Sequence, residues 1–108
     1  MATQESANRG PIWRDVASLI DTFTARWGGV WVCSIRPNPG RSRNGHLWLL
    51  CERTHAVGRV GAIAQERAGR SFPTSDRVSM PAALCGLLYE LDERLQADSR
   101  VAERQATF

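Results

Sequence analysis

Two runs of β-branched and aromatic residues, at 30–35 and 46–51, flank a segment that suits neither a helix nor a strand. The first run ends before Pro37, which leaves it too short for a useful helix. The residues between the runs, 36–45, are rich in Pro, Gly, Asn and Ser and have the composition of a loop. Two neighbouring strands joined in this way most simply form an antiparallel hairpin with a long tip.

Apolar residues recur with helical period on either side of this hairpin. Residues 11–27 carry one stripe, and Gly28 supplies a stop. Its members are Ile12, Val16, Leu19, Ile20, Phe23 and Trp27. Residues 80–97 carry a second stripe, formed by Leu84, Leu87, Leu88, Leu91 and Leu95. We expect the charged residues of that segment to cover mostly the other side of the helix: Glu90, Asp92, Glu93 and Arg94.

The segment after the hairpin supports two interpretations. Val57, Val60 and Ala64 share one helical face, which predicts a helix over 56–68. Two glycines at 58 and 61 weaken that prediction, because each costs about 1 kcal/mol relative to alanine in a helix interior. A third strand at 56–64 is therefore the alternative. Residues 70–78 are expected to form an irregular connection.

The order of elements is then α-β-β-α-α, in one small α+β domain at 11–97. The 108 residues of the chain suffice for a single domain. The polar residues 1–10 are expected to be a disordered leader, and residues 98–108 a frayed, charged C-terminal tail. Because an isolated hairpin is marginal in water, either the helices pack on it or a partner extends it.

The composition excludes several classes of protein. No apolar run approaches the length needed to cross a membrane, and the first residues lack the apolar core of a secretory signal. Three cysteines without CxxC spacing argue against a disulfide framework. These features favour a reducing, cytoplasmic location.

Positive charge is concentrated in the middle of the chain. All 14 basic residues are arginine, a side chain suited to carboxylates, phosphates and aromatic faces. Residues 22–70 hold eight arginines and two glutamates, net +6, whereas residues 71–108 hold four arginines and six acids, net −2. The hairpin loop is therefore expected to be a positive pole that binds phosphate or an acidic protein surface. The alternative is a merely solvated loop.

Residues that would support chemistry are few. The weak candidates for metal ligands are Cys33, Cys51, His55 and Cys85. The three cysteines among these candidates lie in apolar runs, where a free thiol usually behaves as a small hydrophobic group. No motif of a hydrolase, metalloprotease or nucleotide-binding loop is present. We therefore expect no metal, no cofactor and no enzymatic activity.

Four tryptophans are more than so small a core readily buries. Trp27 and Trp31 are expected in the core, whereas Trp13 and Trp48 lie off the main apolar faces and are candidates for partner contacts, since tryptophan and arginine are enriched at interface hot spots. The full set of predicted partner-binding residues is Arg36, Arg41, Arg43, His46, Trp48, Trp13 and Arg59.

The function predicted from these patterns is that of a small non-enzymatic adaptor, inhibitor or regulator that docks a partner protein with an acidic surface. Its outline is loosely that of small inhibitors encoded by phages or mobile elements, although no residue identifies such a family. The alternative is a nucleic-acid-binding protein that contacts phosphates through residues 36–46. A homodimer is compatible with both.

Overall fold

One helix, three consecutive strands and a second, longer helix make up this chain in a computed structural model that describes residues 10–37 and 46–106. The elements are α1 (Trp13–Trp27), β1 (Val30–Pro37), β2 (His46–Val57), β3 (Ala62–Pro73) and α2 (Met80–Ala106). The predicted leader falls almost entirely on residues outside the described part.

The three strands form an antiparallel sheet in which β2 is central and β1 and β3 are the edges. Cys33 lies opposite Cys51, and Cys51 lies opposite Ala68. Because side chains alternate across a strand, this register sends residues 31, 33, 49, 51, 68 and 72 to one face and their neighbours to the other.

Both helices cover that first face. The core joins Val16 and Phe23 of α1, Leu49 and Cys51 of β2, and the leucine stripe of α2. Leu49 and Cys51 are 0% exposed, so the covered face of the central strand is the middle of the core. Neither helix of the described residues packs on the second face, and side chains such as Val32 and Ile63 are exposed there at 50% and 71%.

The predicted α+β single domain is confirmed. Of the two interpretations of the segment after the hairpin, the helix is wrong and the alternative, a third strand, is found with bounds shifted to Ala62–Pro73. Residues 56–68 are not a helix: β2 runs to Val57 and β3 begins at Ala62. Gly58 and Gly61 adopt φ values of +70° and +74° at the two ends of the intervening turn, a conformation that glycine adopts readily. The apparent helical stripe is not a buried face, because Val60 is 92% exposed.

The strands and the last helix extend further than predicted. The expected irregular connection at 70–78 begins only after β3, whose Phe72 is buried opposite Leu47. Pro73 is the last residue of this edge strand, and edge strands are where sheets tolerate proline. Helix α2 continues to Ala106, through most of the segment where we expected a frayed tail.

Candidate functional site

The uncovered face of the sheet collects three of the predicted partner-binding residues at one end. Arg36 and Trp48 are directly opposite each other on β1 and β2. His46 begins β2 and has the same alternation as Trp48, so it lies on the same face. We call this face, from Trp48 to the strand ends at Pro37 and His46, the loop end of the sheet.

The indole of Trp48, which belongs to β2, extends over the neighbouring edge strand β3. A Cβ atom added to Gly69 of β3 would be only 2.5 Å from Cζ2 of the indole and 2.9 Å from Cε2. The absence of a side chain at position 69 therefore lets the ring pack flat against the strand backbone. Trp48 remains 36% exposed, so one part of the indole packs on Gly69 and another part faces solvent.

Residues paired side by side on the three strands form rows across this face. The row that contains Arg36 and Trp48 is basic, the next row is mainly apolar, and the third row has no net charge. Next to Arg36 and Trp48 lies a row that contains Ser34, Leu50 and Gly69. The row after it pairs Val32 with Glu52 and Glu52 with Arg67. Glu52 Oε1 is 3.5 Å from Arg67 Nε, so this row adds little net charge. Of these three described rows, the one at the loop end, which contains Arg36, is therefore the one with a net positive charge.

Two arginines of the basic middle segment are structural. Arg53 is 8% exposed and its guanidinium donates to the carbonyl oxygens of Trp27 (2.7 Å) and Gly28 (3.2 Å) and to Glu66 Oε1 (2.9 Å). It therefore ties the end of α1 to the sheet. Arg26 donates to Asp92 Oδ1 at 2.8 Å and ties α1 to α2.

The remaining predicted partner-binding residues are not brought to the loop end. Arg59 lies in the turn between β2 and β3, at the opposite end of the sheet and about 30 Å along β2 from Trp48 at ~3.3 Å per residue. Trp13 is 53% exposed but belongs to α1, on the other layer of the molecule. Arg41 and Arg43 lie outside the described residues; in the sequence they belong to the segment that joins Pro37 to His46.

The metal-ligand candidates do not form a site. The Sγ atoms of Cys33 and Cys51 are 2.8 Å apart, whereas His55 Nε2 faces Glu66 Oε1 at 3.1 Å. Within the described ranges, no three histidine, cysteine or carboxylate side chains are grouped so as to hold a metal ion.

Cys85 borders a groove of about 300 Å³ between the two helices, which Asp15, Leu19 and Tyr89 also line. Burial raises the pKa of the Cys85 thiol, and the nearby carboxylate of Asp15 acts in the same direction. The backbone N–H of Ile12 donates to Asp15 at 2.7 Å, which engages the carboxylate as a helix cap. A neutral buried thiol is a poor nucleophile, so this groove does not have the electrostatics of a reactive cysteine site.

Sequence reasoning placed Asp92 on the solvent side of the last helix, and this was wrong. Asp92 is 4% exposed and accepts hydrogen bonds from Arg26, Trp27 and Gln96. Its position next to Leu91 in the apolar stripe was the available signal. Two of its three donors, Arg26 and Trp27, belong to α1, and Trp27 lies 65 residues away in the chain.

Comparison of the chain with protein-family models, with curated proteins and with solved structures gives no match. Among the described residues, neither helix combines the length and the apolar character that crossing a membrane would need.

Proposed function

We propose that this protein is a small non-enzymatic binding protein, an adaptor, inhibitor or regulator, and that it docks an acidic surface of a partner protein at the loop end of its sheet. The observation that carries the proposal is the juxtaposition of Trp48 and Arg36 on a face that no helix covers.

Charge supports an acidic partner. The sequence from 22 to 51 contains no acid, and of the two arginines in it that the structure describes, Arg26 is paired with Asp92 and Arg36 is exposed. Of the described residues in the rows of the uncovered face nearest the loop, none is acidic. A surface with one sign of charge attracts the opposite sign and disfavours wrong partners.

The fixed indole supports a docking role. Tryptophan and arginine are the residues most often found at interface hot spots, and a pre-ordered side chain loses little entropy on binding. Because Trp48 is already held against Gly69, it satisfies this condition. The neighbouring apolar side chains of Val32 and Leu50 would extend the contact toward the middle of the sheet.

Binding without catalysis fits the environments of the potentially reactive side chains. Cys51 and Cys85 are buried, and His55 faces a carboxylate that also accepts from Arg53. These groups are engaged in packing and internal pairing.

The test is a capture experiment followed by reconstitution. The tagged protein is used to capture partners from a nuclease-treated lysate of the native host, and the captured protein is then produced in pure form and titrated. We expect Arg41→Glu with Arg43→Glu, and separately Trp48→Ala, to weaken binding by about thirtyfold or more, the loss of ~2 kcal/mol typical of a hot spot.

Arg59→Glu is the matched control, because it reverses the same charge on an exposed residue at the far end of the sheet. Equal affinity for all of these variants would contradict the proposal, provided that circular dichroism shows them folded. Light scattering provides a further check: a particle of twice the chain mass that Trp48→Ala returns to a single chain would make this surface a contact between two copies instead.

A second candidate function, binding of single-stranded nucleic acid, is favoured by one observation. An exposed indole on an uncovered sheet face, with Arg36 directly opposite, is an arrangement on which a base can stack while the guanidinium contacts a phosphate. Against it, the next two rows of this face carry no net positive charge, because Ser34, Leu50 and Gly69 are uncharged and Glu52 is paired with Arg67.

Fluorescence anisotropy with labelled mixed-sequence DNA and RNA separates the two candidates. Phosphate contacts would give an affinity that falls steeply between about 50 and 200 mM salt. No binding at the lower concentration would exclude this second candidate, and steep salt-dependent binding that Trp48→Ala abolishes would establish it over the first.

A further inference from the structure

Two of the three cysteines form a pair across the sheet. Cys33 of β1 and Cys51 of β2 are directly opposite in the register, on the face covered by the helices. Their Sγ atoms are 2.8 Å apart. Directly opposite residues bring their Cβ atoms to about 4.5–5.5 Å, slightly more than the ~3.5–4.5 Å that a disulfide spans.

We infer that Cys33 and Cys51 are a redox modification site, a dithiol that a low-molecular-weight disulfide such as oxidised glutathione converts to an intramolecular disulfide between β1 and β2. The two sulfur atoms need to approach by about 0.8 Å to reach the S–S bond length of about 2.05 Å. Both strands already have the register that places the two cysteines together, so oxidation keeps the strand pairing and requires only a closer approach of the two side chains.

Cys33 is the thiol that reacts first with the oxidised glutathione. It is half-buried on an edge strand, whereas Cys51 is 0% exposed on the central strand. The hydrogen bond from the Cys51 thiol lowers the pKa of Cys33 against the opposing effect of burial. The same contact raises the pKa of Cys51, and burial raises it further. Of the two thiols, Cys33 is therefore the one that loses its proton more readily and reacts first.

The reaction balances in two exchange steps. The Cys33 thiolate attacks one sulfur of oxidised glutathione, breaks its S–S bond, and releases one glutathione thiolate. Conversion of Cys33 to the mixed disulfide removes the thiol contact that is the largest cause of the raised pKa of Cys51. The Cys51 thiol then loses its proton and attacks the adjacent Cys33 sulfur of the mixed disulfide, which releases the second glutathione. Two protein thiols are oxidised, one glutathione disulfide is reduced to two thiols, and the two protons end on the released glutathione molecules.

The third cysteine is a built-in control. Cys85 is 5% exposed on α2 and burial raises the pKa of its thiol. It is therefore expected to stay reduced under conditions that oxidise the pair.

The test uses the full chain in its native state, incubated with oxidised glutathione and then analysed by thiol titration, intact mass and peptide mapping. We expect the count of free thiols to fall from three to one, the mass to decrease by that of two hydrogen atoms, and a cross-linked peptide to join Cys33 to Cys51. Reduced glutathione in excess restores all three thiols.

Two variants sharpen the result. Cys33→Ser is expected to keep both remaining thiols, because its buried Cys51 has no accessible partner. Cys85→Ala is expected to form the disulfide as the wild type does. Three free thiols after oxidation of the wild type, or a stable glutathione adduct on Cys33 that Cys51 does not displace, would overturn the inference.

Discussion

Asp92 offers the sharpest test of how the two helices are held together. Its Oδ1 atom accepts from Arg26 Nη1 and Trp27 Nε1, both at 2.8 Å, and its Oδ2 accepts from Gln96 Nε2 at 2.8 Å. The perturbation is Asp92→Asn, which keeps the shape of the side chain and removes its charge. The amide oxygen still faces the donors of α1, and the Gln96 amide can turn to accept from the new NH₂ group.

The cost follows from the loss of charge at a site that is 4% exposed. Hydrogen bonds to charged groups contribute about 1.5–3 kcal/mol each, against ~1 kcal/mol for neutral pairs. The Arg26 side chain is 47% exposed, so solvent screens its share of the interaction. We therefore expect Asp92→Asn to lower the free energy of unfolding at pH 7 by about 2 kcal/mol, dominated by the bonds from Trp27 and Gln96.

The same substitution changes how stability depends on pH. Burial acts to raise the pKa of Asp92, but the hydrogen bonds from Trp27, Arg26 and Gln96 outweigh it and hold this pKa below its usual value. A depressed carboxyl pKa contributes stability above the unfolded value of about 3.9, and that contribution is lost as the pH falls through the lower folded-state value. The difference between wild type and Asp92→Asn should therefore shrink below about pH 4.

Urea unfolding followed by tryptophan fluorescence, at pH 7 and at steps down to about pH 3, measures both effects. Glu93→Gln is the matched control, because it removes one carboxylate from the exposed neighbouring position on the same helix. We expect that control to stay within ~0.5 kcal/mol of wild type. If Asp92→Asn does the same, or if its deficit is constant across this pH range, the buried carboxylate does not hold the helices together as described.

Two further substitutions probe the sheet. Gly69→Ala should lower the free energy of unfolding by about 1–3 kcal/mol, because its methyl group would meet the Trp48 indole. In a Trp48→Ala background this loss should vanish. A loss that persists there would show another cause. Arg53→Lys should lower the unfolding free energy by about 2 kcal/mol, since an ammonium cannot reach the Trp27 and Gly28 carbonyls and Glu66 together; unchanged urea unfolding would show that the fork geometry is dispensable.

The elements that the sequence predicted well have strong periodicity. Helix α1 ends at Trp27 as expected, and α2 begins at residue 80, because each buries a continuous apolar stripe and is bounded by glycine or proline. The hairpin of β1 and β2 was predicted for a related reason, since its β-branched and aromatic runs are interrupted by residues that only a loop accommodates.

Strand β3 was difficult to recognise because it is an edge strand with few apolar residues. Only Ala68 and Phe72 of its residues are buried, and its remaining positions include Gln65, Arg67 and Gly69, none of which favours a strand strongly. Valines at 57 and 60 and Ala64 happen to match helical spacing, although two of them flank or occupy a turn.

The candidate site was only partly predictable for a geometric reason. The sequence identifies Trp13 and Trp48 as tryptophans outside the main apolar faces, and both are exposed. Which face of the sheet the helices cover, and at which end Arg59 lies, depend on strand register and helix packing between residues far apart in the chain. Composition and local periodicity contain neither piece of information.

The absence of lysine takes on a physical meaning once the arginines are sorted by what they contact. Arg53 donates through all three of its nitrogens, in three directions, to acceptors from α1 and β3, which requires the planar fork of a guanidinium. Arg36, on the uncovered face, is exposed, and if it acted only as a solvated charge, lysine would serve equally well. Replacement of Arg36 by lysine therefore distinguishes a site that reads planar carboxylates, where affinity would fall, from a surface that supplies only charge, where it would not.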